Sequence, residues 1–174
     1  TISSMPMKSV LEALDLRSMI LQNFEKTLLN SNERKRQGML NIVIAGAGPT
    51  GVELAGALGE LKLKVFPKDY PEIDLSQMNI YIVQSGNRVL PMLSEKSSEK
   101  AKKYLESLGV TVVLETRVLD FFGDYVQTNT GQDIIARTLI WTAGVIGNPV
   151  EGLGAESVNK GGRIEVDVYN RVKG

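Results

Sequence analysis

The chain has 174 residues, of which 43% are hydrophobic and 23% charged, as is typical of a globular domain with one substantial core. Its 20 basic residues balance its 20 acidic residues, so bulk charge predicts no nucleic-acid partner and no anionic membrane surface. Cysteine and histidine are both absent, which excludes thiol nucleophiles, imidazole acid–base catalysis and Cys/His zinc sites from this chain. We therefore predict no catalytic side chain and no metal site.

The first 38 residues are predicted to form a helical lead-in. Apolar residues recur at intervals near three and four among charged residues, which is typical of one or two amphipathic helices. The positions in this stripe are Leu11, Leu14, Ile20, Phe24 and Leu28. Gly38 is predicted to end the segment.

A glycine-rich turn follows between a buried strand and a helix. Residues 42–45 are continuously apolar, as in a central parallel strand, and residues 49–63 are predicted to be helical. Gly46 would allow a tight turn, Gly48 would let phosphates approach the backbone, and Gly51 would let the helix lie close to the sheet. The free amides at the helix start would then face the phosphates. The pattern predicts a dinucleotide pyrophosphate site, with a purely structural strand–turn–helix as the alternative.

The chain continues with alternating strands and helices. Pro67 and Pro71 predict a loop after the glycine-turn helix. A strand, a helix and a strand are predicted next, at residues 79–83, 94–108 and 110–114. This alternation with short connections is one mononucleotide-binding half of a doubly wound sheet.

Shorter β segments come after this half. An antiparallel meander is predicted over residues 118–122, 125–128 and 133–135. Residues 138–142 are predicted to return to the parallel sheet and to deliver Ala143, Gly144 and Val145 to its carboxyl edge, where ligands bind. The predicted fold class is α/β: a Rossmann-like doubly wound parallel sheet with an antiparallel β-meander and an N-terminal helical lead-in.

Four segments carry a resemblance to a known family. They are residues 46–56, 89–91, 140–145 and 164–167, and the most specific stretch is Pro-Thr-Gly-Val-Glu at residues 49–53. With these segments the chain resembles the NAD(P)H-binding domain of type II NADH dehydrogenases, the NADH:quinone oxidoreductases of the FAD-dependent pyridine nucleotide-disulphide oxidoreductase superfamily. The resemblance covers nearly the whole chain.

The resemblance implies a division of the chain and a missing partner domain. Residues 1–38 would be the lead-in or linker, residues 39–150 the NAD(P)H-binding domain, and residues 151–174 a segment leading to an FAD domain. The family's flavin motifs do not occur in this sequence, so the chain is expected to be a piece of a longer protein that neither holds FAD nor catalyses a reaction alone.

The resemblance also implies an activity, in which NADH gives a hydride to flavin and electrons pass on to a quinone. Such transfer between cofactors depends on placement more than on acid–base side chains. The implied ligands are NADH, with NADPH as an alternative, and in the full-length protein FAD. Quinone and the inner face of the membrane would be reached only through segments outside this chain, the protein being otherwise cytoplasmic. The resemblance leaves open whether the protein forms a homodimer.

By the resemblance, the glycine turn with Pro49 and Thr50 would hold the pyrophosphate. Glu53 is expected in the first helical turn, either as a favourable charge there or, by resemblance, near the nicotinamide amide and the flavin edge. Ala143, Gly144 and Val145 would approach the nicotinamide half, or simply form a small-residue turn.

Gln84 occupies the end of the second strand, where NAD-binding chains normally place an acidic residue for the ribose hydroxyls. An amide can still bind ribose but does not repel a 2′-phosphate, and Arg88 is near enough in sequence to attract one. The preference between NADH and NADPH is thus open. Both residues also have a purely structural interpretation, Gln84 as the polar end of a strand and Arg88 as a surface cation. Thr116 and Arg117 follow the third strand, near the expected adenine.

Two rival functions remain at the level of sequence. One keeps the architecture but gives the flavoprotein a different electron acceptor. The other is a module that binds NAD(H) without turnover. A Rossmann-like domain without any nucleotide would show no saturable binding.

Overall fold

The computed structural model describes residues 4–7, 9–144, 147–148, 150–159 and 161–172. These divide into two compact units, Thr1–Ala143 and Gly144–Gly174. In the part of the chain described, no helix combines the length and the apolar character that crossing a membrane requires.

Helices and strands alternate through the first unit. The helices are α1 (Val10–Leu28), α2 (Glu33–Leu40), α3 (Pro49–Lys64), α4 (Phe66–Asp69) and α5 (Glu95–Ser107). The strands are β1 (Met5–Pro6), β2 (Ile42–Ala45), β3 (Ile80–Val83), β4 (Val110–Val113), β5 (Val118–Phe121), β6 (Tyr125–Thr128), β7 (Ile134–Ile135) and β8 (Thr138–Trp141). Short 3₁₀ turns lie at Leu75–Gln77 and, in the second unit, at Ala155–Ser157.

The sheet topology confirms the predicted fold class. Five parallel strands follow the order β1-β8-β2-β3-β4, and β5-β6-β7 form a separate antiparallel sheet. The returning strand β8 pairs with β2 on the side opposite β3, with Ala45 opposite Trp141. The order therefore reverses at β2, the position at which doubly wound sheets bind ligands.

The parallel sheet is covered on both faces, which explains its continuously apolar strands. Ile42 and Ile44 contribute to one core cluster together with residues of α1, α3 and α5. Val43 and Ala45 contribute to a second cluster that includes Val126 of the antiparallel sheet. Side chains of one strand alternate between the two cores, as the period of two requires.

The lead-in helix α1 packs into the first core with only part of the predicted stripe. Ser9 caps it by accepting from the Glu12 amide at 3.2 Å, while Glu12 Oε2 accepts from the Ser9 amide at 2.8 Å. The buried residues are Leu16, Ile20, Asn23, Phe24 and Thr27. Of the predicted positions, Ile20 and Phe24 are therefore confirmed as buried, whereas Leu11, Leu14 and Leu28 are at least half exposed.

Two local predictions were wrong and one strand was missed. Gly38 does not end the lead-in; it is buried inside α2, and a side chain there would come within 3.4 Å of Ile135 Cγ2. Pro67 does not keep its segment in a loop, because it lies in the first turn of α4, where a missing amide hydrogen breaks no helical bond. The two-residue strand β1 is too short to carry a periodic signal.

Asn41 joins the two sheets of the first unit. Its Nδ2 donates to the Ile135 carbonyl of β7 at 2.8 Å, and its Oδ1 accepts from the amide and the side chain of Asn79 at 3.0 and 3.1 Å. Asn41 itself is buried. All of its polar atoms are therefore used where water cannot replace them.

We expect Asn41→Ala to lower the free energy of unfolding by about 3 kcal/mol, because it leaves buried donors and acceptors without partners. Urea unfolding followed by circular dichroism measures this. Asn87→Ala, at an exposed position, is the matched control and should change stability by less than about 0.5 kcal/mol. Equal stabilities of the two variants would contradict the bridging role.

The second unit consists mainly of turns in its described residues. Two isolated antiparallel bridges join Val158 to Ile164 and Val166 to Val172. Asp167 Oδ1 accepts from the amides of Tyr169 and Arg171, which closes the turn between the last two bridged positions.

Candidate functional site

The glycine turn leaves the carboxyl end of β2, between the ends of β3 and β8. Gly46 has φ +106°, a conformation that favours glycine, and a side chain there would lie 2.8 Å from the Ala143 backbone. A side chain on Gly51 would overlap the Gly46 carbonyl oxygen and come within 2.8 Å of Thr142 Oγ1. Both positions are glycine because backbone packs directly against backbone there.

Gly48 differs from the other two glycines. Apart from its two neighbours in the chain, no described residue has a heavy atom within 4 Å of the position that its Cβ would occupy. Its backbone is extended, with φ −75° and ψ −176°, so the conformation does not require glycine. The space in front of Gly48 is open, and any side chain at this position would fill it.

Open backbone donors surround this space. Gly48 is the N-cap of α3, and the helical ladder starts with the Val52 amide, which donates to the Gly48 carbonyl at 3.0 Å. Among the described residues, the amides of Gly48, Thr50 and Gly51 make no backbone hydrogen bond outside a regular helix or strand ladder. Pro49 at N1 has no amide hydrogen to satisfy. Unpaired amides at a helix start, with the positive end of the helix dipole behind them, favour an anion.

Neighbouring loops fix the conformation of the turn. Gln84 Oε1 accepts from the Ala47 amide at 3.0 Å, and the Leu90 amide donates to the Ala47 carbonyl at 2.8 Å. Leu90 has φ +46°, uncommon for a residue with a side chain. On the other side, Thr142 Oγ1 lies 3.0 Å from the Gly46 carbonyl oxygen. Sequence reasoning assigned no role to Leu90 or Thr142.

A groove of about 240 Å³ runs from the turn along the carboxyl edge of the sheet. It is lined by Ala45, Gly46, Val83, Gln84, Ser85, Thr116, Arg117, Val118, Trp141 and Ala143. The structure thus brings Gln84 and Ala143 together with the turn, and the same groove includes Thr116 and Arg117, which were expected near the adenine. The lining contains one cationic side chain and no carboxylate.

Glu53 and Arg88 are not among the residues that line this groove. Glu53 is exposed and is the fifth residue of α3, so the prediction that it lies in the first turn was wrong. Arg88 lines a separate depression; its Nη2 donates to the Pro91 carbonyl at 2.7 Å, and its Nη1 lies 3.9 Å from Glu95 Oε1. Gly144, with φ +76°, belongs to the second unit, and Val145 lies outside the described residues.

The described residues contain no group of three or more His, Cys, Asp or Glu that could hold a metal ion. The arrangement is suited to binding an extended anionic ligand along backbone amides.

Comparison with known proteins finds one family and a consistent set of relatives. A model of the pyridine nucleotide-disulphide oxidoreductase family matches residues 12–173. The type II NADH:quinone oxidoreductase NdhA of Mycobacterium tuberculosis is 32% identical over 97% of this chain and 38% of its own length. The type II NADH:quinone oxidoreductase of Haemophilus influenzae is 30% identical over 80% of this chain and 31% of its own length.

Solved structures agree with the sequence relatives. NDH2 of Plasmodium falciparum, solved in complex with NADH, superposes with a TM-score of 0.77 and 25% identity over 82% of this chain and 30% of that one. These similarities confirm the predicted resemblance. The chain spans between about 30% and 38% of the length of these relatives.

Proposed function

Since the chain belongs to the pyridine nucleotide-disulphide oxidoreductase family, we propose that it is the nucleotide-binding part of an NADH dehydrogenase. The parent protein would pass a hydride from NADH to flavin and electrons on to a quinone, as the names of its relatives suggest. The observation that carries the proposal is the set of unpaired amides on the glycine turn, at the point where the strand order reverses.

The proposed pyrophosphate contacts are made by the backbone. The amides of Gly48, Thr50 and Gly51 would donate to its oxygens, and the open space at Gly48 admits it to the turn. Gly46 and Pro49 would shape the turn rather than donate, because Gly46 packs against Ala143 and proline has no amide hydrogen. The residues present therefore fit a dinucleotide.

The adenosine half is proposed to lie in the 240 Å³ groove. Because Gln84 Oε1 is held by the Ala47 amide, Gln84 Nε2 is left as the donor to a ribose hydroxyl. A 2′-phosphate meets no carboxylate in this lining, and Arg117 offers a cation. We infer that the groove accepts both NADH and NADPH. Arg88 has no part in this inference because its guanidinium contacts Pro91 and Glu95 instead.

The nicotinamide half is proposed to extend toward Glu53 and residues 143–145. Flavin, which would accept the hydride when bound, is assigned to a part of the protein beyond this chain, together with the quinone and the membrane contact. Residues 39–150 would then be the nucleotide domain, flanked by the lead-in at 1–38 and a connecting segment at 151–174. The parent protein is proposed to be cytoplasmic, on the inner face of the membrane.

Calorimetric titration of the purified chain with NADH and NADPH tests this proposal. We expect saturable, weak binding of both nucleotides, with no retained FAD and no oxidation of NADH by the chain alone. Absence of saturable binding would contradict the assignment of the turn to a pyrophosphate. A chain that purifies with FAD and oxidises NADH would contradict the assignment of flavin to another part of the protein.

We expect Gln84→Glu to shift the preference toward NADH. A carboxylate can still accept from the Ala47 amide, so the turn should keep its shape. The carboxylate oxygens can also accept from ribose hydroxyls, and their negative charge repels a 2′-phosphate. The ratio of NADPH to NADH affinity should fall by about tenfold at low ionic strength. Parallel calorimetric titrations with the two nucleotides measure it.

Gln22→Glu adds the same charge at an exposed position of α1 and is the control. It should leave the ratio of the two affinities unchanged. An unchanged ratio in Gln84→Glu would place the ribose away from this strand end.

A further inference from the structure

The peptide unit between Gly46 and Ala47 is held at both of its polar ends by side chains from the neighbouring strand ends. Its carbonyl oxygen lies 3.0 Å from Thr142 Oγ1, and its amide donates to Gln84 Oε1 at 3.0 Å. Thr142 follows β8 and Gln84 follows β3, so the peptide is held from the two sides of β2. Its rotation about the chain is therefore blocked in both directions.

The position of the Thr142 hydroxyl follows from the parallel ladder. The Thr142 amide donates to the Ala45 carbonyl at 2.9 Å, which continues the pairing of β8 with β2 by one residue. Its Oγ1 then lies 3.0 Å from both the Ala45 and the Gly46 carbonyl oxygens. A hydroxyl donates one hydrogen, and the Ala45 oxygen already has the amide as a donor. Among the described residues, Thr142 Oγ1 is the donor that reaches the Gly46 oxygen.

The next peptide unit, between Ala47 and Gly48, sets the direction of the Gly48 amide. The Ala47 carbonyl accepts from the Leu90 amide, and in a trans peptide the following amide points the opposite way. The Gly48 amide therefore points away from Leu90, and no protein acceptor meets it in the described residues. Its direction depends on the Gly46–Ala47 unit, through which it is connected to β2.

We propose that Thr142 is a positioning residue for the pyrophosphate: its hydroxyl holds the Gly46 carbonyl and so presets the direction of the Gly48 amide. This rests on the proposed function. A turn that is already ordered in the free protein spends less binding free energy on ordering when the nucleotide arrives. Without the hydroxyl, the Gly46 carbonyl loses its donor, and the Gly46–Ala47 peptide unit is held at one end only, by the Gln84 contact.

The test compares Thr142→Ala, Thr142→Val and Thr142→Ser in NADH titrations of the chain. Alanine and valine remove the hydroxyl, and we expect NADH to bind about tenfold more weakly to both, the equivalent of one net hydrogen bond. Serine keeps the hydroxyl and should restore affinity to within about twofold of the unmodified chain. Amide chemical shifts of Gly48 and Gly51, measured without ligand, should move in the alanine and valine variants and return in the serine variant.

Thr27→Val is the matched control. Thr27 is buried, whereas Thr142 is half-buried, and it likewise donates its hydroxyl to a backbone carbonyl, that of Asn23 at 2.8 Å, but within α1. It should lose similar stability with unchanged NADH affinity. Thr142→Ala and Thr142→Val that bind NADH like the unmodified chain would overturn the assignment to Thr142 alone, and so would weakened binding that serine does not restore. An unmodified chain that binds no nucleotide would contradict the proposed function and the assignment with it.

Discussion

Gly51→Ala is expected to lower the free energy of unfolding by about 3 kcal/mol or more, the largest stability loss that we predict for a single methyl group in this chain. The added methyl would overlap the Gly46 carbonyl oxygen and press on Thr142 Oγ1 at 2.8 Å. Those atoms are backbone or fixed by hydrogen bonds, so they cannot swing aside. The melting temperature of a chain of this size should fall by about 10 °C.

Gly56→Ala provides a matched control on the same helix. A methyl at Gly56 would lie 3.9 Å from Leu105 Cδ2, which is ordinary contact. Because alanine has the better helix propensity, this variant should gain about 0.5 to 1 kcal/mol. Thermal unfolding of both variants by calorimetry shows directly whether each substitution raises or lowers the stability. Stability changes of the same sign in Gly51→Ala and Gly56→Ala would contradict the close packing of α3 on the turn.

Gly48→Val is expected to abolish saturable nucleotide binding without unfolding the chain. The extended backbone at Gly48 suits valine, and the open space around its Cβ position holds no protein atom to displace. The side chain would instead occupy the space proposed for the phosphates. NADH affinity should fall by at least about 100-fold, since both the steric access and the three amide contacts are lost.

The decisive measurement combines NADH titration and thermal unfolding of the same samples. Gly48→Ala should show an intermediate loss of affinity, because a methyl group blocks less of the space. A melting temperature within about 2 °C of the unmodified chain would show that the binding loss is local. Full NADH affinity in Gly48→Val would move the pyrophosphate away from this turn and leave the glycines with a structural role only.

The two glycine variants separate two reasons for one motif. Gly51 is required by contacts that are present in the chain without ligand, whereas the openness at Gly48 serves no contact within the first unit. A glycine motif that served packing alone would not need the open space at Gly48. Opposite patterns in the two variants, stability lost in one and binding lost in the other, would therefore support the assignment of the turn to a nucleotide.

Most of the fold was predictable because its signals are local. The apolar run at 42–45, the glycine spacing and the helical stripe after Ser94 identified β2, α3 and α5 within one or two residues. Weaker signals failed where a neighbour decided the outcome. The sequence predicts a helix end at Gly38, yet Gly38 is buried within α2, where Ile135, almost a hundred positions later, packs next to it.

The candidate site was predictable in its backbone part and in the side chains that directly follow a parallel strand. The glycine turn and its place at the carboxyl edge follow from strand order, and Gln84 was recognised as the residue at the end of the second strand. The expectation for Arg88 rested on closeness in sequence, and the structure places its guanidinium on Pro91 and Glu95 instead. Arg117, 33 positions beyond Gln84, lines the groove with it because β3 and β4 are adjacent and parallel.

By itself, the sequence determined the α/β class, the strand–turn–helix unit and the family, since each depends on short-range periodicity or on a contiguous motif. Only the tertiary structure decided what holds the turn. The Gln84 contact joins residues 37 positions apart, and the Thr142 contact joins residues 96 positions apart. The register of parallel strands, which sets both contacts, arises from packing across the whole sheet and leaves no pattern in any one segment.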